Sequence, residues 1–136
     1  MILKDVRKQI EQALESIDRL RGRSYHYTAR KVVPPGSIVE LPERGGPHEA
    51  YGRGMALWVV PFTVVVGAVD AQASEDQLSE YLDGSGPRSV VARVESYPYT
   101  AFDDLTVTGF EMMAMTFAGV PLLGATFTSE VVGRGA

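Results

Sequence analysis

The chain contains no cysteine. That excludes disulfide cross-links, thiolate nucleophiles and thiolate metal sites, and makes a reducing compartment the natural setting. Histidine is scarce too. His26 and His48 are the only two, and neither has a second histidine or a carboxylate at ligand spacing, whereas a metal needs several convergent ligands. No apolar run reaches the ~20 residues that a membrane-crossing helix needs. The longest, Met55 to Val69, is interrupted by Pro61 and Gly67. The opening residues, Met1-Ile2-Leu3-Lys4-Asp5, lack the apolar centre of a signal peptide, so no export is expected.

What is present fits an ordinary folded domain. The 136 residues suit a single domain spanning 1–136, large enough to hide roughly 68% of its unfolded surface without cross-links. With 45% hydrophobic and 22% charged residues, disorder is not expected. The net charge of −4 is unevenly spread. Residues 1–31 hold eight of the 13 basic side chains but four of the 17 acidic ones, a net +4 that leaves −8 for the rest. A basic start could meet nucleic acid. The acidic whole argues against it, and a solvated helix face is the simpler reading.

Periodicity gives the element order. Leu3, Val6, Ile10, Ala13, Leu14, Ile17 and Leu20 recur every three or four residues, which predicts an amphipathic helix over 2–20. Short strands are expected at Ser24 to Thr28 and Ser37 to Leu41, separated by the Pro34-Pro35-Gly36 bend. Pro42 to Gly54, with four glycines and two prolines, reads as a long mobile loop. Met55 to Val69 is a strand apolar on both faces and therefore covered on both. Its Pro61 removes a ladder donor, suggesting an edge position or a bulge. Ser74-Glu75-Asp76-Gln77 has capping-box spacing for a helix ending near Gly84, and Pro87 suits the first position of a further helix ending before Pro98. Leu105 to Phe117 and Val120 to Val132 form a hairpin around Ala118-Gly119. Its register sets Phe110 opposite Phe127, Met112 opposite Ala125 and Ala114 opposite Leu123, an apolar face expected to lie in the core. The fold class is then α+β: a mixed, mostly antiparallel sheet with helices on one face, order α-β-β-β-α-α-β-β, closing on a C-terminal β-hairpin.

Catalytic constellations are hard to find. Asp103-Asp104 is an adjacent acid pair at a strand start. Glu111 shares its strand face with Thr126, Thr128 and Glu130, as an exposed polar sheet face would. Gly84-Ser85-Gly86-Pro87-Arg88-Ser89 invites a phosphate-loop reading, but it lacks the lysine and the preceding strand, so a helix-to-helix turn is favoured. No catalytic, cofactor or metal residue is assigned, and the chain is not expected to be an enzyme.

Several phrases occur in a telling order. They are Val33-Pro34-Pro35-Gly36, Tyr51-Gly52-Arg53-Gly54-Met55, Pro61-Phe62-Thr63-Val64-Val65-Val66-Gly67, Asp76-Gln77-Leu78-Ser79-Glu80-Tyr81-Leu82, Gly84-Ser85-Gly86-Pro87-Arg88-Ser89-Val90, Leu105-Thr106-Val107-Thr108-Gly109 and Leu123-Gly124-Ala125-Thr126-Phe127. Following the N-terminal amphipathic helix, they make the chain resemble the tail terminator proteins of long-tailed bacteriophages over most of its length. The resemblance implies a virion structural protein of the tail, assembled in the host cytoplasm. Such a protein forms a ring, usually hexameric, that caps the tail tube, ends its polymerisation and offers a docking face to the head connector or stopper protein. The implied partners are further copies of itself, the tube protein and the connector. DNA would pass through the lumen without sequence-specific binding, and no cofactor or membrane is involved. Another phage neck protein, or a small-molecule-binding α/β domain, is the alternative.

Two regions are candidates for contact. Met113, Met115 and Leu122 lie opposite the expected core face near the hairpin tip, with Phe117 and Val120 flanking the turn. The same face is polar toward the hairpin base, so an apolar tip is an expected subunit or tube interface. Arg44, His48, Tyr51 and Arg53 in the long loop are the second set.

Overall fold

A computed structural model of the chain describes residues 2–17, 20, 24–25, 35–47, 55–68, 72–117 and 120–134. The elements are α1 (Leu3–Glu15), β1 (Ser24–Tyr25), β2 (Gly36–Val39), β3 (Arg44–Pro47), β4 (Met55–Ala68), α2 (Gln72–Leu82), α3 (Val90–Ser96), β5 (Asp104–Phe117) and β6 (Val120–Arg134). This is the expected α+β class and order, with one short strand, β3, added.

The sheet runs β1-β2-β4-β6-β5, and β3 pairs with β4 on the same side as β2. Only β1 and β2 are parallel; the other pairings are antiparallel. The long strands β4, β6 and β5 are its backbone. Their register sets Phe62 opposite Phe127 and Phe127 opposite Phe110, and the Phe62 and Phe127 rings stack with centroids 5.2 Å apart. All three helices cover one face, burying Val6, Ile10, Leu14, Leu78, Tyr81, Val90 and Val94 against Val60, Phe62, Val64 and Phe127.

Helix α1 is shorter than its apolar stripe. After Glu15 the bonding tightens to three-residue spacing, with the Ile17 N–H donating to Leu14 O and the Leu20 N–H to Ile17 O, both at 3.1 Å. Ile17 and Leu20 stay buried, so the stripe continues past the helix.

The loop expected from Pro42 onward contains β3. The glycines that suggest a loop are what let this strand lie on its neighbour: a Cβ at Gly45 would stand 2.8 Å from Leu57 O and 2.9 Å from Trp58 Cα. Pro61 is neither at an edge nor in a bulge, because β4 is central. β2 pairs with Phe62–Val65 and β3 with Ala56–Val59, so Pro61 falls between them. Its carbonyl accepts the Glu40 N–H at 3.0 Å, and its missing donor points to the same gap. The β4 bulge lies further on, between Val65 and Gly67. There α2 approaches so closely that a Cβ on Gly67 would be 2.7 Å from Ser74 Oγ.

The capping box expected from Ser74 to Gln77 does not form. α2 begins at Gln72, and Ser74 is a buried residue of its first turn. Pro87 is likewise not a first helical position. α3 begins at Val90 with Ser89 as its cap, the Ala92 N–H donating to Ser89 Oγ at 3.1 Å. The aromatic connection after α3 folds inward. Tyr99 packs on Phe102 with centroids 4.2 Å apart, and the Gln9 carboxamide accepts the Thr100 and Ala101 N–H groups at 2.9 and 3.0 Å.

Candidate interaction surface

The C-terminal hairpin has the register read from the sequence: Phe110 opposite Phe127, Met112 opposite Ala125, Ala114 opposite Leu123, and Phe117 opposite Val120. A bulge between Val107 and Gly109 inserts one residue. Without it a period-2 strand would turn Phe110 away from the face that Leu105 and Val107 share. With it, Leu105, Val107, Phe110 and Met112 all face the helices.

Facing the helices is not the same as being covered by them. Leu105 is buried. α3 lies against this first part of β5, and Glu95 accepts the Val107 N–H at 2.9 Å. Past the bulge the helix layer runs out. Phe110 is 50% exposed and Met112 49% exposed, which corrects the expectation that this face is core along its length. Phe127 remains fully buried, with Phe110 resting on its rim at a centroid distance of 5.9 Å. Between α2 and the hairpin runs a groove of about 300 Å³, lined by Glu75, Leu78, Ser79, Leu82, Met112 and Leu123.

The other face of the hairpin divides differently from expectation. Met113 is exposed (38%) and its sulfur accepts the Thr126 hydroxyl. Leu122 is not available for contact: it is only 7% exposed, on the central strand β6 where its ladder partners are Ala68 and Met115. Met115, Phe117 and Val120 are placed in the hairpin ladder, and their side chains lie outside the described residues. Of the second candidate set, Arg44 is exposed but sits in β3, paired with Val59, and not in a loop. His48, Tyr51 and Arg53 lie outside the described residues, as do His26 and the Ala118-Gly119 turn.

Phe110 and Met112 were missed as surface residues. No sequence signal distinguishes them from core, because their alternation is that of a buried strand face. β5 is also the last strand of the sheet, and among the described residues no strand pairs with its outer edge. The stretch Met112-Met113-Ala114-Met115-Thr116-Phe117 has no charge and no proline, the devices that normally keep an exposed edge from pairing.

Among the described residues the remaining polar groups do not converge on a reaction centre. Glu40, Glu43, Glu111, Thr126 and Thr128 line a shallow groove on the helix-free face together with Leu41 and Pro61. Burial pushes the Glu40 carboxyl above its ordinary range, Thr63 and Arg7 pull it back, and Glu43 adds to the rise. Asp103 and Asp104 are exposed, and the Asp103 N–H is bound to Val132 O. In the glycine-rich turn Arg88 pairs with Glu80, and Ser89 spends its hydroxyl on the α3 cap. Among the described residues no group of three or more His, Asp or Glu side chains is placed to hold a metal ion, and no helix is long and apolar enough to cross a membrane. No protein-family model matches the chain, and no curated protein matches it either.

Proposed function

We propose that the chain is a virion structural protein that works by assembly: copies of it form a ring, hexameric by the family resemblance, that caps the tail tube, stops its growth and presents a face to the head connector. The observation that carries this reading is the apolar strip on β5. Phe110, Met112 and Met113 stand exposed on both faces of an edge strand whose outer side is unpaired among the described residues, in a molecule whose other long strands are well buried. Water-exposed apolar surface of this kind marks a contact with another protein. Its placement on a long strand suits β-sheet addition between subunits. Such a ring needs no cofactor, and its lumen would pass DNA without reading it.

Electron microscopy of particles made without the chain tests the proposal. Overlong tail tubes are the expected result. Tails of normal length that lack heads would assign the chain to a neighbouring neck position, and normal particles would overturn a structural role.

A further inference from the structure

We propose that the groove between α2 and the hairpin is a docking site for a basic amphipathic helix of another protein, which completes the helix layer over β5. The inference goes beyond the ring reading and does not depend on it. Strand addition uses the outer edge of β5, whereas the groove lies inward of that edge.

The seat comes from an unfilled place in the helix layer. α3 packs on the part of β5 before the bulge, and α2 packs on β4 and β6. Among the described residues α2 does not reach β5. Past the bulge β5 therefore has no helix over it, and Phe110 and Met112 on its helix-facing side are left half exposed. The groove opens there, with Leu78, Leu82, Met112 and Leu123 as its apolar lining and Glu75 and Ser79 as its polar members. Ser79 donates its hydroxyl to Glu75 O at 2.9 Å within α2. That leaves little to fix the orientation of a small polar ligand. A lining of this kind, running between a helix and a sheet face, suits the apolar side of a second helix laid beside α2.

The occupant is set by charge. α2 carries Glu75, Asp76 and Glu80 and no basic residue. Asp83 follows them, its N–H still donating to Ser79 O. Asp76, Glu80 and Asp83 recur every three or four residues, so they form an exposed stripe next to the side that lines the groove. Arg88 pairs with Glu80, but the balance of the region stays acidic. Residues 72–117, all described, hold eight acidic and two basic side chains, a net charge of −6. A helix with an apolar face and basic flanks matches both the lining and its rim, and the charges steer its approach. This chain does not offer such a helix itself. The described residues of its own amphipathic helix, 2–17, hold three basic and three acidic side chains, which cancel. The apolar side of α1 is already buried. The partner is therefore a different protein.

The test lets the groove choose its own ligand. Random peptides of about a dozen residues are selected on the immobilised parent chain, and the enriched sequences are synthesised and titrated by calorimetry. The expected sequences are rich in Lys and Arg and space their large apolar residues three or four apart, as one helix face requires. A selected peptide should gain helical circular dichroism on binding. It should bind Met112→Ser and Glu75→Lys each roughly tenfold more weakly than the parent. Leu41→Ser, an exposed change on the helix-free face, should bind it as the parent does. Each variant is first shown to melt like the parent; Met112→Gln and Asp76→Lys stand in for one that does not. The proposal is overturned if no sequence is enriched, if enriched sequences show no excess of basic residues, if the bound peptide gains no helix, or if either groove variant binds it undiminished. Tail length in particles lacking the chain tests the ring reading separately, so either proposal can fail while the other stands.

Discussion

At the scale of single residues, the clearest lever is Glu40. It sits half buried at the end of β2, and loss of hydration is the main cause of its raised pKa, with Glu43 adding to it. The sign of its effect on stability follows. Between the ordinary value of 4.5 and the raised folded value, the folded chain keeps a proton that the unfolded chain has released. Stability therefore falls as pH rises through that window and levels off above it. Glu40→Gln should remove this slope. Melting temperatures of parent and variant, measured in steps from about pH 4 to 8, should diverge across the window; parallel curves would rule the effect out. Tyr99 is shifted in the same direction, but with no consequence near neutral pH. Burial, reinforced by Tyr97, raises its pKa far above neutrality, so its hydroxyl stays protonated and donates to Val94 O at 2.7 Å. Tyr99→Phe should lower unfolding free energy by about 0.5–1.5 kcal/mol in urea titrations, equally at every pH below that of tyrosine ionisation.

Among the elements, α3 depends most on one side chain. It is seven residues long, too short to persist alone. Ser89 accepts the Ala92 N–H and donates to Asp83 O just beyond the end of α2, so one buried hydroxyl caps one helix and fastens it to another. Ser89→Ala should cost about 1–2 kcal/mol, the upper part of the range for a helix cap. Hydrogen exchange should show the loss first in the α3 amides. This cap was not legible in the sequence, because Pro87 offers the more familiar start signal two residues earlier. β3 was hidden for a related reason: Gly45, Gly46 and Pro47 are poor strand formers, and only the nearness of the β4 backbone shows why glycine is needed. What was legible rests on period. The α1 stripe, the long β4 run and the hairpin register follow from alternation that local sequence carries in full. The candidate surface was legible only in part, since Phe110 and Met112 keep a core-strand pattern. Whether a face so patterned is covered depends on how far a helix layer extends, and that is settled by tertiary packing. Leu122 fails as a contact for the same reason: it lies on the face away from the helices and is nonetheless buried, which its alternation does not reveal.

For the whole molecule, the structure separates apolar residues enclosed in the core from apolar residues left in water, and the pair Phe127 and Phe110 shows where the line falls. They are direct partners across β6 and β5. Phe127 is enclosed and stacks on Phe62, whereas Phe110 touches its rim and leaves half its surface in water. Truncating a buried phenylalanine removes its transfer energy and leaves a cavity, so Phe127→Ala should cost about 3–5 kcal/mol. Against a total of about 5–15 kcal/mol for a domain, that is enough to leave much of the chain unfolded at body temperature. Phe110→Ser gives up only the edge contact between the rings and partial burial, a cost of about 1 kcal/mol. Urea unfolding of the two variants should therefore differ severalfold in lost stability. Assembly should show the reverse contrast. The Phe110→Ser chain, folded and monomeric, should fail to form the oligomer of the parent in size-exclusion chromatography and fail to restore normal tail length to particles lacking the chain. If it assembles like the parent, the apolar strip on β5 is not the contact. If it unfolds as readily as Phe127→Ala, the strip belongs to the core after all.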